Sequence, residues 1–229
     1  QQRDDWRERC VITIDPATAR DYDDAICVTR KGNNWELAVH IADVSHYVRP
    51  GSALDEEARK RGNSTYLPDR VLPMLPPRLC DGICSLREGE DRLTRLCLMQ
   101  INRQGKVFKA EFRDAVICSR RRLSYPQVLD VLQGKGSTGN EEIDSMILEA
   151  GKLAQLLRRK RFEAGALRLD TPEIRLITDD HGAPVDVEVE TSDEPHQLVE
   201  EFMVGYFGQA AQPLMDYFRL IHNSVKANP

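Results

Sequence analysis

The first 44 residues alternate between β-favouring runs and turn signals, which commits the chain to begin as a sheet. "CVITI" (10–14) is apolar and β-branched, and it stops at Asp15-Pro16, where proline lacks the N–H that a strand ladder needs. "DDAICVTR" (23–30) resumes β character, and "KGNN" (31–34) is a turn signal. "WELAVHIADV" (35–44) then alternates Trp35, Leu37, Val39 and Ile41 with other residues, the period of a strand. The pattern predicts a hairpin that displays the acidic residues of "IDPATARDYDDA" (14–25) at one end of a sheet.

The later signals fill in the class. "PGSALDEEARKRG" (50–62) reads as a helix capped by Ser52, with Glu56 and Glu57 suited to its first turn and Gly62 as its stop. "TYLPDRVLPMLPPRL" (65–79) carries four prolines and is expected to be a long ordered loop. A second hairpin is predicted around "RQGK" within 92–119, a short helix capped by Ser124 over 124–136, and a flexible surface loop at "GKGSTGN" (134–140). Ile143, Ile147, Ala150, Ala154 and Leu157 form the apolar stripe of a long helix over 141–165. A third hairpin is expected around "DDHGAP" within 173–190, and a helix over 193–218, interrupted near Pro213. Strands early, helices later and recurring hairpins imply an α+β fold with a mixed or antiparallel sheet and packed helices.

Composition excludes several classes. At 229 residues and 41% hydrophobic, the chain is long enough for a sizeable core. No apolar run approaches the ~20 residues of a membrane span, and the start "QQRDDWRERC" has no signal-peptide core. No membrane partner is expected, and cytoplasmic is the default location. Cys80 and Cys84 lack a second ligand pair at zinc-site spacing. A net charge of -5 argues against a protein that coats nucleic acid, but not against an enzyme whose acidic centre is neutralised by cations. Basic clusters with a nearby aromatic at 59–70, 119–125 and 158–162 together favour a polyanionic partner.

Asp15, Asp21, Asp23 and Asp24 pose the chemical question. A helix–loop–helix calcium loop fails, since counting from Asp21 puts Ala25 at position 5, Ile26 at position 6 and Gly32 at position 12. Three readings stay open. A magnesium site needs several carboxylates at one place, completed by substrate phosphate. A solvated acidic turn needs only backbone groups for Asp15 and Asp21 to cap. A two-carboxylate proton-transfer site uses fewer acids than are present. Without metal, such crowding favours protonation of at least one carboxylate.

"ITIDPATARDYDDAI", "LAVHIADVSHYVRPG" and "LPMLPPRLCDGICSLREGEDRLT" closely resemble the catalytic (RNB) domain of the ribonuclease II / ribonuclease R family, as do "RRRLSYPQV", "GALRLDTPE" and "HQLVEEFM". The resemblance implies a processive, hydrolytic 3′→5′ exoribonuclease that uses Mg²⁺, with Mn²⁺ able to substitute, and releases nucleoside monophosphates from single-stranded RNA. It assigns Asp15, Asp21, Asp23 and Asp24 to the metal site, with Asp23 and Asp21 catalytic and Asp23 the most critical. It assigns Tyr66 to stacking near the RNA 3′ end, and Tyr125, Glu200 and Glu201 to ribose recognition. His40 and His46 read as structural, and Arg87 or Arg92 as candidate phosphate contacts.

The resemblance casts residues 1–229 as part of an RNB catalytic domain. The family's "SPIRRY"-like segment, whose arginine contacts the scissile phosphate, and its flanking OB-type RNA-binding domains do not occur in this sequence. The expectation is a fragment with little activity alone, prone to self-associate through apolar surface around "VGYFGQAAQPLMDYF". The competing reading is an inactive RNB-like module that grips RNA or a partner without cutting it.

Overall fold

The computed structural model describes residues 2–67, 70–167, 173–179, 184–190 and 193–227. β1 (Asp4–Asp5) and β2 (Ile12–Asp15) lead into the hairpin of β3 (Asp24–Lys31) and β4 (Asn34–Ala42). Its strands pair from Asp24↔Ile41 to Lys31↔Asn34. The two-residue turn places Gly32 at φ 59°, a conformation that a residue with a Cβ resists. α1 (Val44–Tyr47), α2 (Ala53–Arg61), β5 (Thr65–Tyr66) and β6 (Val71–Leu72) follow. After a π-helical turn over Arg78–Ile83 come the long hairpin β7 (Asp91–Ile101) and β8 (Val107–Cys118), then β9 (Arg121–Ser124). α3 (Tyr125–Leu132), α4 (Glu141–Glu163), β10 (Glu173–Thr178), β11 (Pro184–Glu190) and α5 (Glu194–Ala227) complete the order.

Seven strands form one sheet in the order β1-β8-β7-β4-β3-β2-β9. The central pairs are antiparallel, while β1 with β8 and β2 with β9 run parallel, so the sheet is mixed and the fold is α+β as expected. α4 packs on β3 and against α3 and α5. Ile143, Ile147, Ala150, Leu153 and Ala154 are buried on its inner stripe, while Leu157 is only partly covered. Gly151 permits a close crossing, because a Cβ there would meet the Leu132 side chain of α3 at 2.6 Å. Leu198 and Phe202, four residues apart on α5, are fully buried and fix that helix to the same core.

Several expectations need correction. β4 stops at Ala42, because Asp43 turns the chain: its carboxylate accepts from Arg3 at 2.6 Å and from the Ser45 hydroxyl at 2.7 Å. The proline-rich loop contains the β5–β6 ribbon and the π-helical turn, which starts just after Pro76-Pro77, where missing N–H groups do no harm. "RRLS" forms β9, a strand whose apolar signal is hidden by arginines. The 134–140 loop is tied down, since Asp144 accepts from the Ser137 hydroxyl and from the Thr138 N–H and hydroxyl. α5 continues through Pro213, as a single lost backbone hydrogen bond does not by itself end a helix. Ser52 and Gly62 bound α2 as expected, with Asp55 and Glu56 as its first-turn acids. Positions 180–183 of the third hairpin's turn, and 168–172 of "GALRLDTPE", lie outside the described residues. Among the described residues no helix is long and apolar enough to cross a membrane.

Candidate active site

The aspartates sit where two neighbouring strands open into a loop. Asp15 is the last residue of β2 and pairs with Ser124 of β9, and Asp24 is the first residue of β3. Between them residues 16–23 leave the sheet in a turn closed by Ala19 N–H on the Pro16 carbonyl at 3.0 Å. Residues far away in sequence then hold this loop. The fully buried Ser85 hydroxyl accepts the Tyr22 N–H and donates to the Arg20 carbonyl, both at 3.1 Å. The Leu86 N–H bonds the Tyr22 carbonyl at 2.8 Å, and the Ala42 N–H bonds the Asp23 carbonyl at 2.9 Å. On the other side the Arg122 guanidinium donates to the Pro16 carbonyl at 2.5 Å and lies 5.5 Å from the centre of the Tyr22 ring.

All four aspartates line one cleft of about 1090 Å³, together with Tyr66, Arg20 and Arg70. Tyr66 is 67% exposed, and its hydroxyl donates to Asp21 at 3.3 Å. Burial and the negative charge of Asp21 raise its pKa, so the phenol stays a donor at neutral pH. Asp15 is buried, and one of its carboxylate oxygens has no hydrogen-bond partner. Burial, reinforced by the charge of Asp24, pushes its pKa up to about 7, although Arg122 pulls the other way. Asp24 is pushed up to about 6 by burial and then by Asp23. Asp23 reaches solvent, yet it stands in a concave wall beside Asp21. Loss of surrounding water and that neighbouring charge raise its pKa too. The shifts run in the direction expected of crowded carboxylates, with burial as the larger cause and the neighbouring charges as the smaller.

Among the described residues no three His, Cys, Asp or Glu side chains are gathered tightly enough to hold a metal ion. The donor set nevertheless suits a hard cation. It consists of carboxylate oxygens in one cleft, one of them buried and unpartnered, with poorly compensated negative charge.

Tyr125, Glu200 and Glu201 stand apart from the lining of that cleft. Tyr125 opens α3, next to the Ser124 that pairs with Asp15, and its ring stacks on His196 of α5 at 3.7 Å. Glu201 is 3% exposed and accepts from Arg161 on both carboxylate oxygens, and Glu200 accepts from Arg161 at 2.7 Å. Arg158 also approaches both acids. The 158–162 cluster is thus an internal ion-pair hub. In the 59–70 cluster, Arg59 and Arg61 pair with Asp55 and Glu57. Arg87 and Arg92 bond backbone carbonyls of Asp81 and Ser85, which makes them clamps on the segment that carries Ser85. His40 is fully buried against Trp6 and bonds Thr94 at 3.0 Å, a structural role as expected. Arg122 and Arg161 belong to the basic clusters expected to face a polyanion, and the structure turns them inward instead, while Ser85 carried no signal of its own.

Comparison with known proteins agrees with this architecture. The family description "RNB domain" matches residues 3–212. Ribonuclease R of Thermotoga maritima is 45% identical over 205 residues, which is 88% of this chain and 29% of that protein. The structure of Mycoplasma genitalium RNase R in complex with double-stranded RNA superposes with a TM-score of 0.91 at 31% identity, covering 94% of this chain and 38% of that one. The complex of the same enzyme with ribose methylated single-stranded RNA gives a TM-score of 0.90, also at 31% identity, over 94% of this chain and 34% of that one. The chain spans less than two fifths of each of these relatives. A mixed sheet that carries four aspartates at the β2–β3 opening, matched along nearly its whole length, places this chain in the RNB-domain family.

Proposed function

We propose that this chain is the aspartate-bearing part of an RNB catalytic domain that hydrolyses single-stranded RNA from the 3′ end, releasing nucleoside monophosphates. The observation that carries the reading is the single cleft that gathers Asp15, Asp21, Asp23, Asp24 and Tyr66. A protein that only binds RNA has little use for four carboxylates gathered where phosphates approach. Such a cluster is useful where cations mediate between two sets of anions.

In this reading Asp15, Asp21, Asp23 and Asp24 hold Mg²⁺, for which Mn²⁺ can substitute. When bound, the cation neutralises charge on the phosphate oxygens and lowers the pKa of water. The protein supplies the rest. Asp23, the aspartate open to the cleft, orients the attacking water and accepts its proton. Asp21 is held in place by the Tyr66 hydroxyl, and the exposed Tyr66 ring offers a stacking surface to a terminal base, a contact worth ~1–3 kcal/mol. Arg20, exposed on the cleft rim, is placed to meet backbone phosphate. Tyr125, with Glu200 as the exposed member of the α5 pair, acts at the sugar, where a hydrogen bond to the 2′-OH separates RNA from DNA, while Glu201 seats α5 through Arg161.

The test is a 5′-labelled single-stranded oligoribonucleotide incubated with Mg²⁺ and a longer protein that contains this chain within the whole RNB domain, beside the 229-residue chain, which is expected to act slowly or not at all. Stepwise shortening from the 3′ end, nearly abolished by Asp23→Asn while RNA affinity changes little, is the expected result. RNA binding with no Mg²⁺-dependent shortening would replace this reading with a binding module.

A further inference from the structure

The first turn of α5 carries a side-chain assembly that the proposed reaction does not use directly. Asp193 precedes the helix, and its carboxylate accepts the His196 backbone N–H at 3.4 Å and the ring Nδ1–H at 2.6 Å. That ring lies nearly parallel to Tyr125, with 3.7 Å between centroids and 24° between planes. Asp193 thus fixes the imidazole twice, through the backbone and through the ring, and the imidazole covers one face of the phenol. α5 itself is a rigid platform. Leu198 and Phe202 are fully buried, and Glu201 is clamped by Arg161 on both oxygens.

Tyr125 is anchored from the other side as well. It is the first residue of α3, whose start is held by the Ser124 N–H and hydroxyl, both donating to the Gln127 side-chain carbonyl, and Ser124 is the register partner of Asp15. The phenol is therefore held between the strand end that carries Asp15 and the start of α5. Its χ angles would otherwise be free to swing at a half-exposed helix end, and a hydroxyl that swings cannot discriminate between sugars.

We propose that His196 is a positioning residue: stacked on Tyr125 and held by Asp193, it fixes the phenol where that phenol recognises the sugar of the terminal nucleotide. This rests on the ribose role given to Tyr125 above. Its physical content is that a flat ring at position 196 is required for 2′-OH discrimination, and that charge at that position is secondary.

The experiment compares two oligonucleotides identical except at the 3′-terminal sugar, ribose or 2′-deoxyribose, with binding measured in EDTA so that neither is consumed. The native protein should prefer the ribose terminus. Tyr125→Phe should reduce the preference by about fivefold, the worth of one ordinary hydrogen bond. His196→Leu should reduce it to a similar extent and His196→Phe should largely retain it, with Asp193→Asn in between. Melting curves for each variant separate this from a general loss of folding, and the Leu–Phe pair carries the comparison if removing the imidazole destabilises α5. If Tyr125→Phe shifts the preference and His196→Leu does not, the positioning role is wrong while the ribose reading stands. If Tyr125→Phe leaves the preference unchanged, or the native protein has none, the ribose reading falls and this inference with it.

Discussion

The Ser85 hydroxyl and the Tyr22 backbone, 63 positions apart in sequence, are joined by a 3.1 Å hydrogen bond inside the protein. The same hydroxyl donates to the Arg20 carbonyl, so one side chain ties the backbone on both sides of Asp21. Residues 16–23 have no strand ladder of their own, and their shape depends on such outside partners. Ser85→Ala leaves a buried N–H and a carbonyl without this partner, which costs roughly 1–3 kcal/mol. The variant should melt earlier and, in the reading proposed for the cleft, an enzyme carrying it should lose more hydrolysis than RNA affinity. Native-state hydrogen exchange at the Tyr22 amide should speed up well before global unfolding; unchanged exchange would show that the staple is not what holds the loop.

The raised carboxylate pKa values set a direction for stability against pH in metal-free buffer. An unfolded aspartate ionises near pH 3.8, whereas folded Asp15 holds its proton to about 7 and folded Asp24 to about 6. Between those values the native state binds more protons than the unfolded state, so stability falls as pH rises. This contribution is complete below about pH 4 and gone above about pH 7. Asp15→Asn should raise the melting temperature at pH 7.5 and change it little at pH 4. A gain of equal size at both pH values would mean that Asp15 is not held protonated.

Divalent cations should act in the opposite sense. Mg²⁺ or Mn²⁺ relieves the repulsion among the aspartates, and a ligand at a hundredfold over its dissociation constant stabilises by about 2.7 kcal/mol. The rise in melting temperature should be larger at pH 8 than at pH 6, because protons on Asp15 and Asp24 compete with the metal. An Asp15→Asn, Asp24→Asn double variant should not respond. An equal response from the double variant would move the cation site elsewhere.

The two glutamates of α5 should differ sharply on removal. Glu201 has a side chain only 2% exposed and binds Arg161 through both oxygens, so Glu201→Ala should cost roughly 1.5–3 kcal/mol in urea unfolding, leaving Glu200 as the acid beside Arg161. Glu200, with a side chain 46% exposed, should cost less than about 1 kcal/mol. Unchanged stability in Glu201→Ala, with RNA affinity lost, would give that residue a direct role at the sugar and remove its role in seating α5.

The sequence by itself determined the regular elements and the acid set. β3–β4 and β7–β8 were legible because their period-2 pattern and Gly-bearing turns are local, and α2 was legible because Ser52 and Gly62 act on adjacent backbone. The four aspartates were legible because their density is a property of ten consecutive positions. β9 was not, since what makes "RRLS" a strand is the parallel ladder offered by β2. Nor could local pattern show that Ser85 grips Tyr22, that Arg161 pairs with Glu201 or that His196 lies on Tyr125, because each is a meeting of segments brought together only by the folded sheet and its helix layer. Those meetings set the solvation of each group as well. Tertiary structure alone therefore decided that Asp15 is buried with its pKa raised while Asp23 opens to the cleft, since a carboxylate's ionisation depends on how much water and neighbouring charge the fold leaves around it.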